Sequence, residues 1–215
     1  MAGEQLFVEV LALETRSLRC TIKEVLRMTN KIMGVPKSLT FVEPREVIRS
    51  LSVGSGDVVA DFGAGSGHFS LEFARAVGPE GTVYALDVLP SALEAITSQA
   101  KTLGLTNIVP QRCNLERVNG SGLGSETADW VLAKDVLLQN KEKEAILREV
   151  ARILKPNGRA LIIEWDPSES VVGPDRELRM KPDDLRHTLA EAGLTVVDEP
   201  PVGGFHYAFL AEKKH

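Results

Sequence analysis

The chain has 215 residues, of which 43% are hydrophobic, 26% charged and 5% aromatic, an ordinary globular composition. A net charge of −5 argues against a protein that mainly neutralises nucleic-acid phosphates. No stretch approaches the roughly 18 apolar residues of a membrane span. Two cysteines, Cys20 and Cys113, are too few for a disulfide framework or a Cys-rich metal site. They fit free thiols in a reducing cytoplasm, so a cytoplasmic protein is predicted.

The beginning of the chain is predicted to be a helical extension. Apolar residues such as Leu18 and Ile22 fall on one helical face, so residues 3–32 are expected to form one or two amphipathic helices. We expect residues 1–36 to cap the core of a single domain formed by residues 37–215. A lid or a homodimer surface is the alternative role for this extension.

Apolar runs alternate with helical patterns after this extension. The predicted strands are 57–62, 82–86, 107–111, 129–133, 160–165, 194–197 and 205–211. Unbroken Val, Ile and Leu runs are typical of parallel strands buried on both faces. A helix through Leu154, ended by Pro156 and Gly158, is expected before the fifth strand. Residues 198–204 are too few for a parallel crossover, so the last two strands form an antiparallel hairpin. The pattern predicts an α/β, doubly wound, mostly parallel seven-stranded sheet.

The most informative stretch runs from Asp61 to His68 and reads Asp-Phe-Gly-Ala-Gly-Ser-Gly-His. Glycines there permit positive φ and a close approach of backbone to ligand, and the helix that follows offers free N–H groups. The spacing Gly-x-Gly-x-Gly differs from the dinucleotide pattern, and Asp61 would attract an ammonium group and repel a pyrophosphate. Asp87 ends the second strand, where a carboxylate accepts hydrogen bonds from a ribose. These features favour a nucleoside cofactor with an amino-acid end.

On these motifs the chain resembles the class I S-adenosylmethionine-dependent methyltransferases, in the ubiquinone-biosynthesis-like and small-molecule branch. The segment Arg152–Gly158 is similar to the family signature R-L-K-P-G-G, with Asn157 in place of one glycine. The resemblance implies a Rossmann-like fold, S-adenosylmethionine as cofactor and S-adenosylhomocysteine as product. The cofactor-binding residues that it implies are Asp61, Gly63, Ala64, Gly65, Gly67, Asp87, Val88, Asn114, Leu115 and Lys134. A simple turn remains the alternative role of Asn114.

The acceptor is expected over the ends of the fourth and fifth strands, beside the polar loop 166–181. Lys134-Asp135 matches the family motif that lines the methyl-transfer site. Asp135 and His206 are the candidate catalytic residues, since a histidine suits a general base, with a helix cap and a structural role as their alternatives. The candidate substrate-binding residues are Trp165, Arg176 and Tyr207, and Glu164, Asp166 and Arg179 are further candidates to line the loop.

The predicted reaction is in-line transfer of the methyl group of S-adenosylmethionine to a nucleophilic acceptor. A small organic acceptor is favoured, with no nucleic acid, membrane or metal ion involved. Protein side-chain methylation, a catalytically inactive cofactor-binding partner protein and a nicotinamide-dependent enzyme are the alternatives. The glycine-rich segment 119–125 lacks the Gly-Lys-Ser/Thr ending of a phosphate loop and is expected to be a flexible surface connection.

Overall fold

A computed structural model describes residues 42–168, 172–203 and 205–213, all within the unit Thr40–His215. The predicted N-terminal helices and their dimer surface lie outside the described residues. The helices are α1 (Pro44–Ser50), α2 (His68–Val77), α3 (Pro90–Leu103), α4 (Lys143–Ile153) and α5 (Pro182–Glu191). The strands are β1 (Val58–Phe62), β2 (Thr82–Asp87), β3 (Ile108–Arg112), β4 (Ala128–Lys134), β5 (Leu154–Trp165), β6 (Leu194–Asp198) and β7 (His206–Lys213).

Within the described residues these strands form one sheet in the order β3-β2-β1-β4-β5-β7-β6. The pairs among β1 to β5 are parallel, and β7 is antiparallel to both β5 and β6. The predicted fold class and the C-terminal hairpin are therefore confirmed. The hairpin folds back so that β7, not β6, pairs with β5. This pairing sets Trp165 opposite His206 and Glu164 opposite Tyr207.

Two apolar layers cover the faces of the sheet. On one face, α1 and α2 bury residues such as Phe73 against Leu161. On the other face, α4 and α5 bury residues such as Leu147 and Leu189 against Phe209. Parallel strands covered on both faces read as continuous apolar runs, which explains why the sequence pattern located them.

The boundary between α4 and β5 differs from the prediction. The helix ends at Ile153 and β5 begins directly at Leu154, so the prediction of a helix through Leu154 and of a strand from residue 160 was wrong. The pairing of β5 with β4 is interrupted before Arg159, and Asn157 there has a φ of 65°. A bulge is where a sheet accommodates a proline, which has no N–H to donate, so Pro156 lies inside the strand and does not precede it.

The glycine-rich segment 119–125 lies at the surface as expected, with Asn119, Gly122, Gly124 and Ser125 exposed, but it is tied to α4. Ser121 is fully buried, and both its backbone N–H and its hydroxyl donate hydrogen bonds to the Glu149 carboxylate. Arg152 donates to the same carboxylate at 2.7 Å and to the carbonyl oxygen of Leu123 at 2.7 Å. Burial opposes ionisation, but the hydrogen bonds from Arg152 and Ser121 lower the pKa of Glu149. The ionised Glu149 carboxylate thus holds the segment against α4.

Replacement of this carboxylate should therefore destabilise the domain. We expect Glu149→Ala to lower the free energy of unfolding by about 3 kcal/mol, because it leaves the buried donors of Ser121 and the partly buried guanidinium of Arg152 without this acceptor. Glu144, which is exposed on the same helix, provides the matched control, and Glu144→Ala should change stability by less than about 0.5 kcal/mol. Urea unfolding measures both variants, and equal effects would contradict the anchoring role.

Candidate active site

The turn after β1 has the backbone conformation that its glycines predict. Gly63, Gly65 and Gly67 have φ values of 67°, 52° and 83°, in the left-handed region that glycine favours. A Cβ atom added to Gly63 would lie 2.7 Å from Cγ2 of Val136, and one added to Gly67 would lie 2.6 Å from Cγ1 of Ile96. The side chains of Val136 and Ile96 thus fill the space beside Gly63 and Gly67, so no residue larger than glycine fits at either position.

Asp87 ties this turn to the end of β2. Its Oδ2 accepts a hydrogen bond from the N–H of Gly65 at 2.8 Å, and its Oδ1 accepts one from the N–H of Leu89 at 2.9 Å. The next two side chains are apolar but open to solvent, with Val88 54% and Leu89 58% exposed. A carboxylate beside an exposed apolar pair suits a ligand that carries both hydroxyl groups and a flat ring.

Asp61 lies beneath the turn and not on its open side. The residue is 3% exposed, and its carboxylate accepts a hydrogen bond from the Ser70 hydroxyl at 2.5 Å. Burial raises the pKa of Asp61 from 3.8 to about 7, and the negative charge of Asp87 adds to this shift. The carboxyl group thus connects β1 to α2 under the turn.

The segment after β3 also reaches the Asp87 region. The N–H of Cys113 donates to the carbonyl oxygen of Asp87 at 2.9 Å. Asn114 forms a local turn in which its Oδ1 accepts a hydrogen bond from the N–H of Glu116 at 3.0 Å. Leu115 is 8% exposed and packs in the core. The alternative turn role of Asn114 is therefore observed, and its cofactor role stays a prediction.

At the end of β4 the structure brings the two candidate catalytic residues together. Nε2 of His206 lies 3.2 Å from Oδ1 of Asp135, although β5 separates β7, which begins at His206, from β4, which Asp135 directly follows. Lys134 donates a hydrogen bond to the other carboxylate oxygen. Burial alone would raise the pKa of Asp135, but His206 and Lys134 hold it below its usual value. Asp135 also has a φ of 57°, in the left-handed region that aspartate adopts more readily than most residues.

A third titratable group, Glu164, lies beside this pair. The residue is fully buried on β5, and its Oε1 accepts a hydrogen bond from the N–H of Leu137 at 2.8 Å. Burial raises the pKa of Glu164 to about 7, and the charge of Asp135 contributes. From the sequence this residue was only a candidate to line the loop. A single acid inside the apolar run 160–165 is the signal that marks it.

Trp165 forms the wall of this end of the site. Its ring lies 4.3 Å from the ring of His206, between centroids, and 5.6 Å from the guanidinium carbon of Arg179. On another side the backbone of Gly173, with a φ of 98°, approaches so closely that an added Cβ would lie 2.4 Å from the indole. The loop after β5 is thus shaped directly against the tryptophan.

The other loop candidates make contacts with the backbone. Arg179 is 8% exposed and donates hydrogen bonds of 2.9 to 3.1 Å to four carbonyl oxygens, those of Asp166, Ser168, Val172 and Pro174. Arg176 is exposed and donates to the carbonyl oxygen of Pro167, and the Tyr207 hydroxyl donates to that of Met180 at 2.9 Å. Arg179 therefore organises the loop, and the substrate-binding roles of Arg176, Trp165 and Tyr207 stay predictions.

Other features of the described residues lie apart from this region. A cavity of about 720 Å³ beside α1 is lined by none of the predicted site residues. In the part of the chain that the structure describes, no three His, Cys, Asp or Glu side chains are arranged to hold a metal ion. Nor does that part contain a helix that is long and apolar enough to cross a membrane.

Comparison with known proteins identifies relatives of this chain. A family described as a methyltransferase domain matches residues 54–193. The ubiquinone/menaquinone biosynthesis C-methyltransferase UbiE of Pasteurella multocida is 32% identical over 132 residues, which is 60% of this chain and 47% of that protein. The protein of the same name from Salmonella arizonae is 29% identical over 170 residues, 78% of this chain and 63% of that protein. The chain thus spans about half to three fifths of these relatives.

Solved structures have the same architecture. A SAM dependent methyltransferase from Aquifex aeolicus superimposes with a TM-score of 0.74 at 25% identity, over 86% of this chain and 97% of that chain. The [4+2]-cyclase SpnF superimposes with a TM-score of 0.69 at 17% identity, over 88% of this chain and 93% of that chain. The cyclase likeness concerns the fold alone, because one fold serves different chemistries.

The buried Asp61 carboxyl predicts a pH dependence of stability. In the unfolded chain this group ionises near its ordinary pKa of 3.8, whereas in the folded domain its pKa is about 7. The folded state therefore holds more protons between these values, and stability falls as the pH rises through that window. Between pH 5 and pH 8 the wild type should lose roughly 2–3 kcal/mol more unfolding free energy than Asp61→Asn.

Urea unfolding of both proteins at the two pH values measures this difference. Asp183→Asn, at an exposed position in the first turn of α5, is the matched control and should follow the wild type. Parallel pH profiles for wild type and Asp61→Asn would show that the Asp61 carboxyl is not held protonated in the folded domain.

Proposed function

The chain belongs to the class I S-adenosylmethionine-dependent methyltransferase family, and on this premise we propose that it transfers the methyl group of S-adenosylmethionine to a small organic acceptor. The observation that most directly supports this function is the glycine turn, which is connected to Asp87 on one side and packs on Val136, beside the Asp135–His206 pair, on the other. We therefore expect the cofactor site and the acceptor site to adjoin at the carboxyl ends of β1, β2 and β4.

The residues at the turn fit this cofactor. A Cβ atom added to Gly65 would meet only the carbonyl oxygen of Gly63, at 3.9 Å, so this glycine leaves room for a ligand beside the backbone. The first turn of α2 presents N–H groups next to it. Asp87 is a hydrogen-bond acceptor suited to the ribose hydroxyls. Val88 and Leu89 offer an exposed apolar surface to the adenine ring. No pyrophosphate is needed to explain this arrangement.

We assign the predicted cofactor residues to two groups. Gly63, Ala64, Gly65 and Gly67 hold the amino-acid end, supported from below by Asp61 and from the side by Lys134. Asp87, Val88, Asn114 and Leu115 hold the nucleoside end. When bound, S-adenosylmethionine supplies a methyl group that its sulfonium charge has already activated, so the protein mainly has to align the acceptor and exclude water.

We expect the acceptor over the carboxyl ends of β4 and β5, beside the first residues of β7. Trp165 supplies an apolar wall there, and Asp135 and His206 supply polar groups next to it. The loop held by Arg179, together with Arg176 and Tyr207, borders the same region. The relatives from Pasteurella multocida and Salmonella arizonae are named as C-methyltransferases of ubiquinone/menaquinone biosynthesis, which supports a small-molecule acceptor over a protein side chain.

Calorimetry with S-adenosylhomocysteine tests the cofactor site. The wild type should bind this product and should not bind NADH. Asp87→Ala should weaken binding by about 1.5–3 kcal/mol, the value of hydrogen bonds to a charged group. Glu94→Ala, an exposed carboxylate change on α3, should leave the affinity unchanged. Failure of the folded wild type to bind S-adenosylhomocysteine would refute the proposed cofactor.

Transfer of label from methyl-tritiated S-adenosylmethionine into a cell extract tests the reaction. We expect the label in the organic-soluble small-molecule fraction. Label confined to the protein fraction would show a protein methyltransferase instead. Binding of S-adenosylhomocysteine without transfer to any fraction would indicate an inactive cofactor-binding protein.

A further inference from the structure

The segment that follows β3 is attached to the start of α4 by one carboxylate. Oε1 of the half-buried Glu116 accepts hydrogen bonds from the N–H of Lys141 at 2.8 Å and from the N–H of Glu142 at 3.2 Å. Glu142 is the N-cap residue of α4, and its own side chain makes no capping hydrogen bond. Glu116 therefore caps α4 from another part of the chain, where the positive end of the helix dipole favours a carboxylate.

Glu116 also closes the turn that contains Asn114. The N–H of Glu116 donates a hydrogen bond to Oδ1 of Asn114 at 3.0 Å. At the other end of this short segment, the N–H of Cys113 donates to the carbonyl oxygen of Asp87 at 2.9 Å. Residues 113–116 are therefore held between the end of β2 and the start of α4, and Glu116 makes the second of these two attachments.

The start of α4 has a further attachment that does not involve Glu116. Nζ of Lys143, the first residue of the helix, donates hydrogen bonds to the carbonyl oxygen of Leu137 at 2.7 Å and to that of Asn140 at 2.9 Å. The helix is thus also connected to the segment after β4. Because of this connection, removal of the Glu116 carboxylate should release residues 113–116 and leave α4 in its position.

A different side chain holds the glycine turn after β1. Nε2 of Gln99, on α3, donates a hydrogen bond to the carbonyl oxygen of Ser66 at 3.0 Å. Ile96, three residues earlier on the same face of α3, fills the space beside Gly67. Ser66 lies between two glycines, which restrict the backbone less than other residues do. The hydrogen bond from Gln99 therefore fixes the orientation of a peptide group in the most adaptable part of the turn.

Such attachments matter for binding because a ligand selects one conformation of the backbone. If only a fraction of the molecules has that conformation, the apparent affinity falls in proportion to the fraction. Glu116 and Gln99 act on two segments that are distant in sequence, one after β3 and one after β1. Each hydrogen bond therefore stabilises the binding conformation of its own segment.

On the basis of the function proposed above, we propose that Glu116 and Gln99 are positioning residues for S-adenosylmethionine, and that each acts on one end of the cofactor. Glu116 sets the affinity for the nucleoside end through Asn114 and Leu115. Gln99 sets the affinity for the amino-acid end through Ser66 and the glycines beside it. Both side chains act through backbone atoms, by holding the segments that bind the cofactor.

Calorimetry of the full chain with two ligands tests the role of Glu116. S-adenosylhomocysteine has both ends, whereas 5′-methylthioadenosine has the nucleoside and the sulfur but lacks the amino-acid end. Glu116→Ala should weaken the binding of both ligands by the same factor, about tenfold. Glu116→Gln keeps a side-chain oxygen that can accept a hydrogen bond, and it should bind both ligands within about threefold of the wild type.

The same pair of ligands tests the role of Gln99. Gln99→Ala should weaken the binding of S-adenosylhomocysteine by about fivefold, the effect of one lost hydrogen bond, and should change that of 5′-methylthioadenosine by less than about twofold. Arg117→Ala and Ser98→Ala change exposed residues next to Glu116 and Gln99. These matched controls should bind both ligands with wild-type affinity. A general loss of stability would not distinguish between the two ligands.

The remaining outcomes would contradict the proposal. Wild-type affinities in Glu116→Ala, or equal weakening by Glu116→Gln and Glu116→Ala, would overturn the role of the Glu116 hydrogen bonds. Equal weakening of the two ligands by Gln99→Ala, or no weakening of either, would overturn the role of Gln99. A wild type that binds S-adenosylhomocysteine but not 5′-methylthioadenosine would overturn the division into two ends. A folded wild type that binds neither ligand would refute the proposed function itself.

Discussion

The antiparallel pairing of β7 with β5 determines what stands at the acceptor end of the sheet. Each residue of β7 faces one residue of β5, so His206 lies beside Trp165 on one face and Tyr207 beside Glu164 on the other. A slip of one residue would exchange the faces and carry the imidazole away from Asp135. The register is held by the burial of Ala208, Phe209 and Ala211 in the two apolar layers. The apolar residues of β7 thus fix the position of the His206 imidazole at the start of the strand.

Much of the fold and of the cofactor end followed from local patterns. The glycine turn and the acid that ends β2 are short-range features, because strand, turn and helix are consecutive in the chain. The acceptor end was harder, because Asp135 and His206 meet only through the sheet order, in which β5 separates their strands. The sequence does not show that the side chains of Asp135 and His206 lie 3.2 Å apart, because the two residues are distant along the chain. The acid inside the run 160–165 marks Glu164 in the sequence, but only the structure shows that the charge of Asp135 acts on it.

The departures from the sequence prediction have identifiable physical causes. Pro156 and Gly158 suggested a break before the strand, yet the bulge in β5 accommodates both without ending the pairing. The segment 119–125 has the composition of a flexible connection, but a partner distant in sequence, Glu149, accepts its hydrogen bonds. Composition predicts the conformation that a segment prefers in isolation. In both segments, contacts with the rest of the domain override that preference.

The loop after β5 owes its shape to contacts with main-chain atoms. Arg179 gathers four carbonyl oxygens, and Gly173 approaches the indole of Trp165 without a side chain. The side chains of Asp175, Glu177 and Leu178 point outward and are exposed. The hydrogen bonds that hold the loop backbone therefore do not involve the side chains of these three residues. Directed evolution can therefore vary these three positions while the hydrogen bonds from Arg179 to the loop backbone are retained.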